Sequence, residues 1–326
     1  MTASLRAVRP GHHVTLQDVG RRGWRRFGVS GCGAMDLPSL AVANTLVANP
    51  PTAAALEFAQ LGGAWQVLAE SARIAVAGGD FRITADGRRL APWQSHTLQR
   101  GQEVVIETAP DAVWGYLAVA GGFDVAPQLG SCSTHLRSGI GGVSGTRVAA
   151  GDDLPLRTDR APEGRDRRIA PPARAETGLR VVLGPQDDYF APEMVEQFLA
   201  ADWRVTHRGD RMGTWLEGPP IAHRDGYNVL SDGLVPGCIQ VPGAGQPVVL
   251  MMDCQTIGGY PKLATIVAAD LPRFAQARAG QTIRFTAIDV EDAQRAYRTH
   301  RALLETIGSR VADLPEPRTR PFWLRE

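Results

Sequence analysis

One short segment, residues 255–262, brings together side chains suited to chemistry on a small polar substrate. It reads Gln-Thr-Ile-Gly-Gly-Tyr-Pro-Lys and begins two residues after an aspartate. A carboxylate can take a proton, while an ammonium and an amide stabilise negative charge that develops on a substrate oxygen. The predicted catalytic residues are therefore Asp253, Gln255, Tyr260 and Lys262.

Lys262 is the only lysine among the 35 basic residues of the chain, and all the others are arginines. Lysine carries a compact ammonium on a flexible stem, whereas arginine carries a wide, planar and permanently charged fork. Because arginine serves wherever a general positive charge suffices, the remaining lysine indicates a place where arginine does not serve. The alternative is a structural turn in which Lys262 is solvated.

A glycine- and arginine-rich loop over residues 17–35 is a second candidate, with Asp18 and Arg21 near its start. Glycines allow backbone N–H groups to approach a ligand, and arginine binds phosphate or carboxylate in bidentate geometry. The loop does not match the phosphate-binding Gly-x-x-x-x-Gly-Lys-Ser/Thr motif. An ordinary solvated loop is the alternative interpretation.

Residues 130–137 place several hydroxyl groups beside backbone N–H groups, which suits an oxyanion or a phosphate. The segment lacks the Gly-x-Ser-x-Gly motif of serine hydrolases, and a turn capped by serine and threonine is an equal alternative. Further polar residues follow the later predicted strands. The predicted substrate- or nucleotide-binding residues are Asp18, Arg21, Asp36, Ser131, Ser133, Thr134, Arg137, Arg211, Gln240, Gln246, Gly258 and Gly259.

The elements that must position these residues are predicted to be mostly β-strands with a few helices. Short apolar runs alternate with turn signals, and the 326 residues include 36 glycines and 23 prolines. A buried strand over 248–252 is predicted to deliver the 253–262 loop. Asp36 is predicted to cap a helix that continues to about residue 47, and further helices are predicted over 192–200 and after Asp289.

Two domains are predicted, over residues 1–160 and 175–326. Between them, residues 158–177 are polar and rich in proline, which is typical of a linker or a long exposed loop. The tail beyond Pro315 is predicted to be peripheral.

Composition excludes several classes of partner and site. The net charge of +1 does not favour nucleic acid or an anionic membrane surface, so the expected ligand is a small molecule. No apolar run is long enough to span a bilayer, and the N-terminus lacks the apolar core of a signal peptide, so we expect a cytoplasmic protein. The four widely spaced cysteines are expected to be free thiols, and no metal centre is predicted.

Several segments, taken in order, resemble one known family. The resemblance covers about residues 5–290. It rests on Gln17–Arg21, Gly33–Asp36, Ala43–Asn44, Ala54–Glu57, Gly78–Asp80, Leu117–Gly122, Gly130–Ser131 with Ser133–Thr134, Asp210–Gly213, Ile239–Pro242, Gly245–Pro247 and Gln255–Lys262. Together they look like the allophanate hydrolase subunit 2 family, also called the biotin-dependent carboxyltransferase family.

The resemblance implies two tandem cyclophilin-like β-barrel domains and a role as the C component of an ATP-dependent 5-oxoprolinase. It implies a B-type partner, which is of the allophanate hydrolase subunit 1 kind, and a further A-type partner. ATP and Mg²⁺ would be substrates of the complex. Lys262 would neutralise phosphoryl or carboxylate oxygens, with Gln255 and Tyr260 orienting the amide. Asp253, Asp36 or Asp18 would hold Mg²⁺ or take a proton.

The sequence also departs from the pattern that the family is expected to show. Cys254 and Cys132 stand where arginines are expected, which removes two positive charges from the presumed site loops. Two other functions therefore stay open. One is transfer of a carboxyl group from carboxybiotin to urea or another amide, which alone would require biotin. The other is a non-catalytic module that binds and antagonises its partner.

Overall fold

The computed structural model describes residues 3–172 and 178–315. Its described residues are mostly β, with four α-helices and two barrel-like sheets, so the predicted fold class is confirmed. Residues 173–177 of the predicted linker and the tail from residue 316 lie outside the described residues. No helix in the described ranges is long and apolar enough to cross a membrane.

The first sheet contains nine strands from the first half of the chain. Its central order is β5-β4-β7-β2-β8-β3-β6, and β1 pairs with both β2 and β9. All of these pairs are antiparallel. The strands are β1 Ser4–Gln17, β2 Ala55–Val67, β3 Ser71–Ala77, β4 Ile83–Ala85, β5 Arg88–Leu90, β6 Ser95–Gln99, β7 Glu103–Ile106, β8 Trp114–Val119 and β9 Asp153–Pro155.

The second sheet contains eight strands in the order β19-β12-β13-β16-β15-β18-β11-β20, and only β11 and β20 are parallel. Two small ribbons pair β10 with β21 and β14 with β17. The strands are β10 Arg167–Arg168, β11 Leu179–Leu183, β12 Trp203–Gly209, β13 Gly213–Glu217, β14 Asp232–Gly233, β15 Cys238–Gln240, β16 Val248–Leu250, β17 Ile257–Gly258, β18 Lys262–Ile266, β19 Thr282–Ile283, β20 Phe285–Ala287 and β21 Ala312–Asp313.

The helices are α1 Leu37–Leu46, α2 Pro192–Ala200, α3 Leu271–Ala275 and α4 Val290–Glu305. Asp36 caps α1 by accepting a hydrogen bond from the Ser39 N–H, as predicted. The prediction of α2 is confirmed at both ends. Asp289 caps α4, as predicted, and a 3₁₀ turn over Ile307–Arg310 follows the end of the helix at Glu305.

The described part of the predicted linker is anchored to the first half of the chain. Arg73 donates a hydrogen bond to the carbonyl of Gly164, and the Ser95 hydroxyl bonds the Asp166 carboxylate. Strand β10 and buried Ile169 also lie here. Residues 164–169 are therefore attached to the first half of the chain by specific polar pairs and by Ile169, although Gly164, Arg165 and Arg168 are exposed.

The two sheets share one hydrophobic core. Helix α1, from the first half, packs in the same cluster as Trp203, Ile239 and Leu263 from the second half. A separate cluster fills the first sheet and includes Trp65. Because the halves are packed together, side chains from both can contribute to one site. The domain limits at residues 160 and 175 stay a prediction.

Candidate functional site

Lys262 begins strand β18 and is almost fully buried. Its Nζ donates to the Asp232 carboxylate at 2.5 Å and to the Gly233 carbonyl at 2.9 Å. Gln186 joins the same group, because its amide oxygen accepts the Lys262 N–H and its amide nitrogen donates to Asp232. Lys262 is therefore not solvated, and the alternative of a solvated turn is wrong.

Asp232, and not Lys262, is the member of this pair that faces solvent. The side chain of Asp232 is 55% exposed, whereas that of Lys262 is 3% exposed. The hydrogen bond from Lys262 lowers the pKa of Asp232 to about 2, and bonds from the Gly233 N–H and Gln186 act in the same direction. The pair thus presents an ionised carboxylate at the surface, held in place by a buried ammonium.

A titration tests this arrangement. The pKa of Asp232 in the folded protein lies below its ordinary value, so the ion pair is intact at neutral pH and is lost only as the pH falls through about 2. We expect NMR of the carboxyl carbon of Asp232 to show a midpoint near 2 in the wild type. In Lys262→Met the midpoint should rise toward the ordinary aspartate value. An unchanged midpoint in that variant would contradict the pairing.

The turn between β17 and β18 needs glycine because other side chains approach it closely. A Cβ added at Gly258 would lie 2.7 Å from Cδ1 of Leu234 and 3.3 Å from Nε2 of Gln240. Gln240 Nε2 in turn donates to the Tyr260 carbonyl at 3.0 Å, which holds the turn against β15. The predicted residues Gln240, Gln255, Gly258, Gly259, Tyr260 and Lys262 are therefore brought together, and the Gln255 and Tyr260 side chains are exposed.

Arg25, from the first half of the chain, reaches into this site. Its Nη2 donates to the carbonyls of Leu234 and Gln255, at 2.5 and 3.2 Å, and lies 3.8 Å from Sγ of Cys254. Burial raises the pKa of the Cys254 thiol to about 11, so this cysteine is neutral. A guanidinium therefore lies beside Cys254, and the expected loss of positive charge at this loop is offset by a residue that is distant in sequence.

Asp18 lies in a second cluster, with the 131–135 segment. Its Oδ1 accepts from the Gly20 N–H and from the hydroxyls of Ser131 and Ser133, and its Oδ2 accepts from the Cys132 N–H. The Thr134 hydroxyl bonds the Leu16 carbonyl. The structure therefore uses Asp18, Ser131 and Ser133 to hold the two loops together.

Arg211 and Asp253 form a buried ion network that joins the two halves. Arg211 donates to both oxygens of Asp253, at 2.7 and 2.9 Å, and also pairs with Glu57 of β2 and bonds the Gly33 carbonyl. Glu57 additionally accepts bonds from the Met35 N–H and the Tyr116 hydroxyl. Burial raises the pKa of Glu57, and Arg211 opposes that rise. Asp253 is thus committed to Arg211.

The remaining predicted residues lie elsewhere. Asp36 accepts bonds from Ser39 and from Gln276 of the second half. Among the described residues, the side chain of Gln246 bonds the backbone of Gly218, and Arg137 is exposed.

None of the three carboxylates proposed for Mg²⁺ offers a ready ligand set. Protein donors already bind the oxygens of Asp18, Asp36 and Asp253. Within residues 3–172 and 178–315, no three His, Cys, Asp or Glu side chains converge on a point that could hold a metal ion. These described residues therefore do not fit a resident metal.

Asp232, Gln186 and Arg25 were not among the predicted site residues, although Arg25 lies in the candidate loop over residues 17–35. Asp232 lies 30 positions from Lys262, and Arg25 lies 230 from Gln255. Neither spacing follows a strand or helix period. The available signal for Asp232 was its place in a Ser-Asp-Gly turn between two predicted strands, and the signal for Arg25 was the glycine- and arginine-rich composition of residues 17–35.

The sequence pattern of the carboxyltransferase domain, subdomains A and B, matches residues 27–287. This range contains most strands of the first sheet and the whole of the second. The chain belongs to that family.

Members of this carboxyltransferase family include components of two kinds of enzyme. The chain is 36% identical over 313 residues to the C subunit of 5-oxoprolinase from Escherichia coli (strain K12), covering 94% of this chain and 98% of that protein. It is 35% identical to the C subunit of the Haemophilus influenzae 5-oxoprolinase, covering 92% and 96%. The crystal structure of the K. lactis urea amidolyase superposes with a TM-score of 0.86 at 26% identity. That match covers 94% of this chain but only 20% of the amidolyase.

Proposed function

We propose that this chain is the C-type component of an ATP-dependent 5-oxoprolinase. The complex would open the lactam ring of 5-oxoproline to L-glutamate, together with B-type and A-type partners. The observation that carries the proposal is the match to the C subunits of two 5-oxoprolinases over almost their whole length. The identity to these two subunits, 36% and 35%, is also higher than the 26% identity to the urea amidolyase, which favours the 5-oxoprolinase role.

The chemistry of the exposed site suits an amide substrate. A lactam offers one N–H donor and one carbonyl acceptor, and Asp232 and the Gln255 side chain supply the complementary acceptor and donor. Asp232 would accept the lactam N–H, and Gln255 would orient the carbonyl. Tyr260 is exposed beside them and would form one wall of the substrate site.

Ring opening needs activation, because the lactam is a poor electrophile. Transfer of a phosphoryl group from ATP to the carbonyl oxygen would give a better leaving group and release ADP. Addition of one water would break the C–N bond and give γ-glutamyl phosphate, and a second water would then release phosphate and glutamate. The added negative charge calls for cations. With the Lys262–Asp232 pair neutral as a whole, Arg25 leaves the site with one net positive charge. ATP and Mg²⁺ are proposed as substrates of the complex, bound with the help of a partner protein.

Reconstitution tests this function. The chain would be purified with B- and A-type partners from the same source and supplied with 5-oxoproline, ATP and Mg²⁺. We expect glutamate and ADP to be released together, and neither product when the chain is omitted. Failure of the complete complex to release glutamate would contradict the proposed function.

Carboxyl transfer to urea or another amide is the second candidate. It is favoured by the family match and by the close superposition with the urea amidolyase. Both substrates are amides, so the same Asp232 and Gln255 side chains would suit either. This alternative requires a biotinylated carrier, and streptavidin blotting of the native complex distinguishes the two. A biotinylated partner with urea-dependent turnover would favour carboxyl transfer.

A further inference from the structure

Arg21 carries a buried positive charge without a counterion among the described residues. The residue is 3% exposed, and its Nε donates to the Gln128 carbonyl at 3.1 Å. No described residue accepts a hydrogen bond from Nη1 or Nη2, although both atoms are buried. These two atoms carry four of the five N–H groups of the guanidinium. A buried charge left in this state destabilises a folded protein, so its retention calls for a reason.

The nearby carboxylates are already bound by other groups. Both oxygens of Asp18 are bound by hydroxyls and backbone N–H groups, and Asp253 and Glu57 are paired with Arg211. Within the described chain, Arg21 takes part in no ion pair. The described residues therefore supply no counterion for Arg21.

A second unsatisfied group lies close by. His135 is buried, its Nδ1 lies 2.9 Å from the Ser138 hydroxyl, and its Nε2 is buried without a partner among the described residues. The His135 N–H donates to the carbonyl of Ile140, and a Cβ added at the next residue, Gly141, would lie 2.4 Å from Nη2 of Arg21. The two unsatisfied side chains thus flank the same turn.

We infer that Arg21 is the receptor for a small carboxylate, held by Nη1 and Nη2 with His135 Nε2 beside it. Two parallel N–H donors match the two oxygens of a carboxylate, which is the strongest pairing open to a guanidinium. The identity of the ligand rests on the proposed function, in which the carboxylate is that of 5-oxoproline. Urea carries no carboxylate and would leave Arg21 unsatisfied.

Thermal unfolding of the free chain tests this inference without any activity assay. Arg21→Met keeps the length of the side chain and removes the unpaired charge. We expect this variant to melt about 2–4 °C above the wild type. A purely structural arginine would give the opposite sign. Arg22→Met is the matched control, because it makes the same exchange at the neighbouring, exposed position.

Ligand-dependent shifts identify the anion. Sodium 5-oxoproline and sodium acetate should raise the melting temperature of the wild type and of Arg22→Met above that in sodium chloride at equal ionic strength. The neutral lactam 2-pyrrolidinone should have no such effect. Arg21→Met should lose the shift with both carboxylates. If MgATP, and neither carboxylate, shifts the melting temperature of the wild type and that shift is lost in Arg21→Met, the ligand of Arg21 is a phosphoryl group. That outcome would overturn the carboxylate assignment.

Other outcomes would also overturn the inference: an Arg21→Met variant that is less stable or fails to fold, or a carboxylate shift that persists in it. These outcomes are separate from failure of the proposed function. In one such case, the chain shows the Arg21-dependent shift with carboxylates while its complex fails to hydrolyse 5-oxoproline. That result would refute the proposed function and leave this inference standing. Normal turnover by Arg21→Met, with unchanged KM for 5-oxoproline, would refute this inference alone.

Discussion

Replacing Lys262 with arginine should lower turnover by the reconstituted complex about 100-fold or more. The side chain is 3% exposed, and its Nζ lies 2.5 Å from Asp232 and 2.9 Å from the Gly233 carbonyl. A guanidinium is wider than an ammonium and needs a planar space with more acceptors. It would displace Asp232, the carboxylate proposed to bind the substrate amide. The measurement is kcat and KM for 5-oxoproline.

Two controls separate this effect from general damage. Arg204→Lys makes the reverse exchange of arginine and lysine in the exposed ion pair of Arg204 with Glu217. It should leave turnover unchanged. Asp232→Asn should reproduce the loss of Lys262→Arg, and combining the two should add little, because both act on one pair. Full activity of Lys262→Arg would contradict the special role of the single lysine.

Replacing Arg211 with methionine should destabilise the protein by about 3–5 kcal/mol. The substitution leaves the carboxylates of Asp253 and Glu57 buried without their cation. Arg211 also bonds the Gly33 carbonyl, so its contacts connect the second half of the chain to the first. The loss should therefore affect the packing of the two halves. Urea-induced unfolding, monitored by tryptophan fluorescence, measures the loss of stability as a lower urea concentration at the midpoint.

Removing the unpaired carboxylates should restore part of this loss. Arg211→Met combined with Glu57→Gln and Asp253→Asn eliminates both uncompensated charges, so we expect the triple variant to be more stable than Arg211→Met alone. Arg204→Met removes an arginine from an exposed pair and should change stability by about 1 kcal/mol or less. Equal midpoints for Arg211→Met and Arg204→Met would show that the buried network adds no stability.

Local signals predicted the elements well, because they depend on residues close together in sequence. Asp36 with Pro38 marks the start of α1, and Asp289 marks the start of α4, since a capping side chain bonds an N–H three residues away. The polar composition of residues 158–177 did not show that residues 164–169 are anchored. There, the pair of Asp166 with Ser95 and the buried Ile169 attach the segment to the first half of the chain.

The candidate site was predicted only in part, because local patterns do not show contacts between residues that are distant in sequence. The 255–262 turn was found because its residues are contiguous, and the burial of Lys262 supports the significance of the single lysine. Asp253 was predicted to be catalytic from its position after a buried strand. Asp253 instead forms a buried ion pair with Arg211, which is 42 residues away in sequence, and no local pattern shows such a contact.

By itself, the sequence determined the mostly β fold, the starts of α1, α2 and α4, and the one position where lysine was kept. These properties follow from periodicity, capping and composition, which act over a few residues. Only the tertiary structure decided that Asp232 is the solvent-facing partner of Lys262, that Arg25 lies beside Cys254 and that Arg21 has no counterion in the described chain. Ion pairing depends on distance in space and on burial, and folding sets both by joining segments up to 230 residues apart.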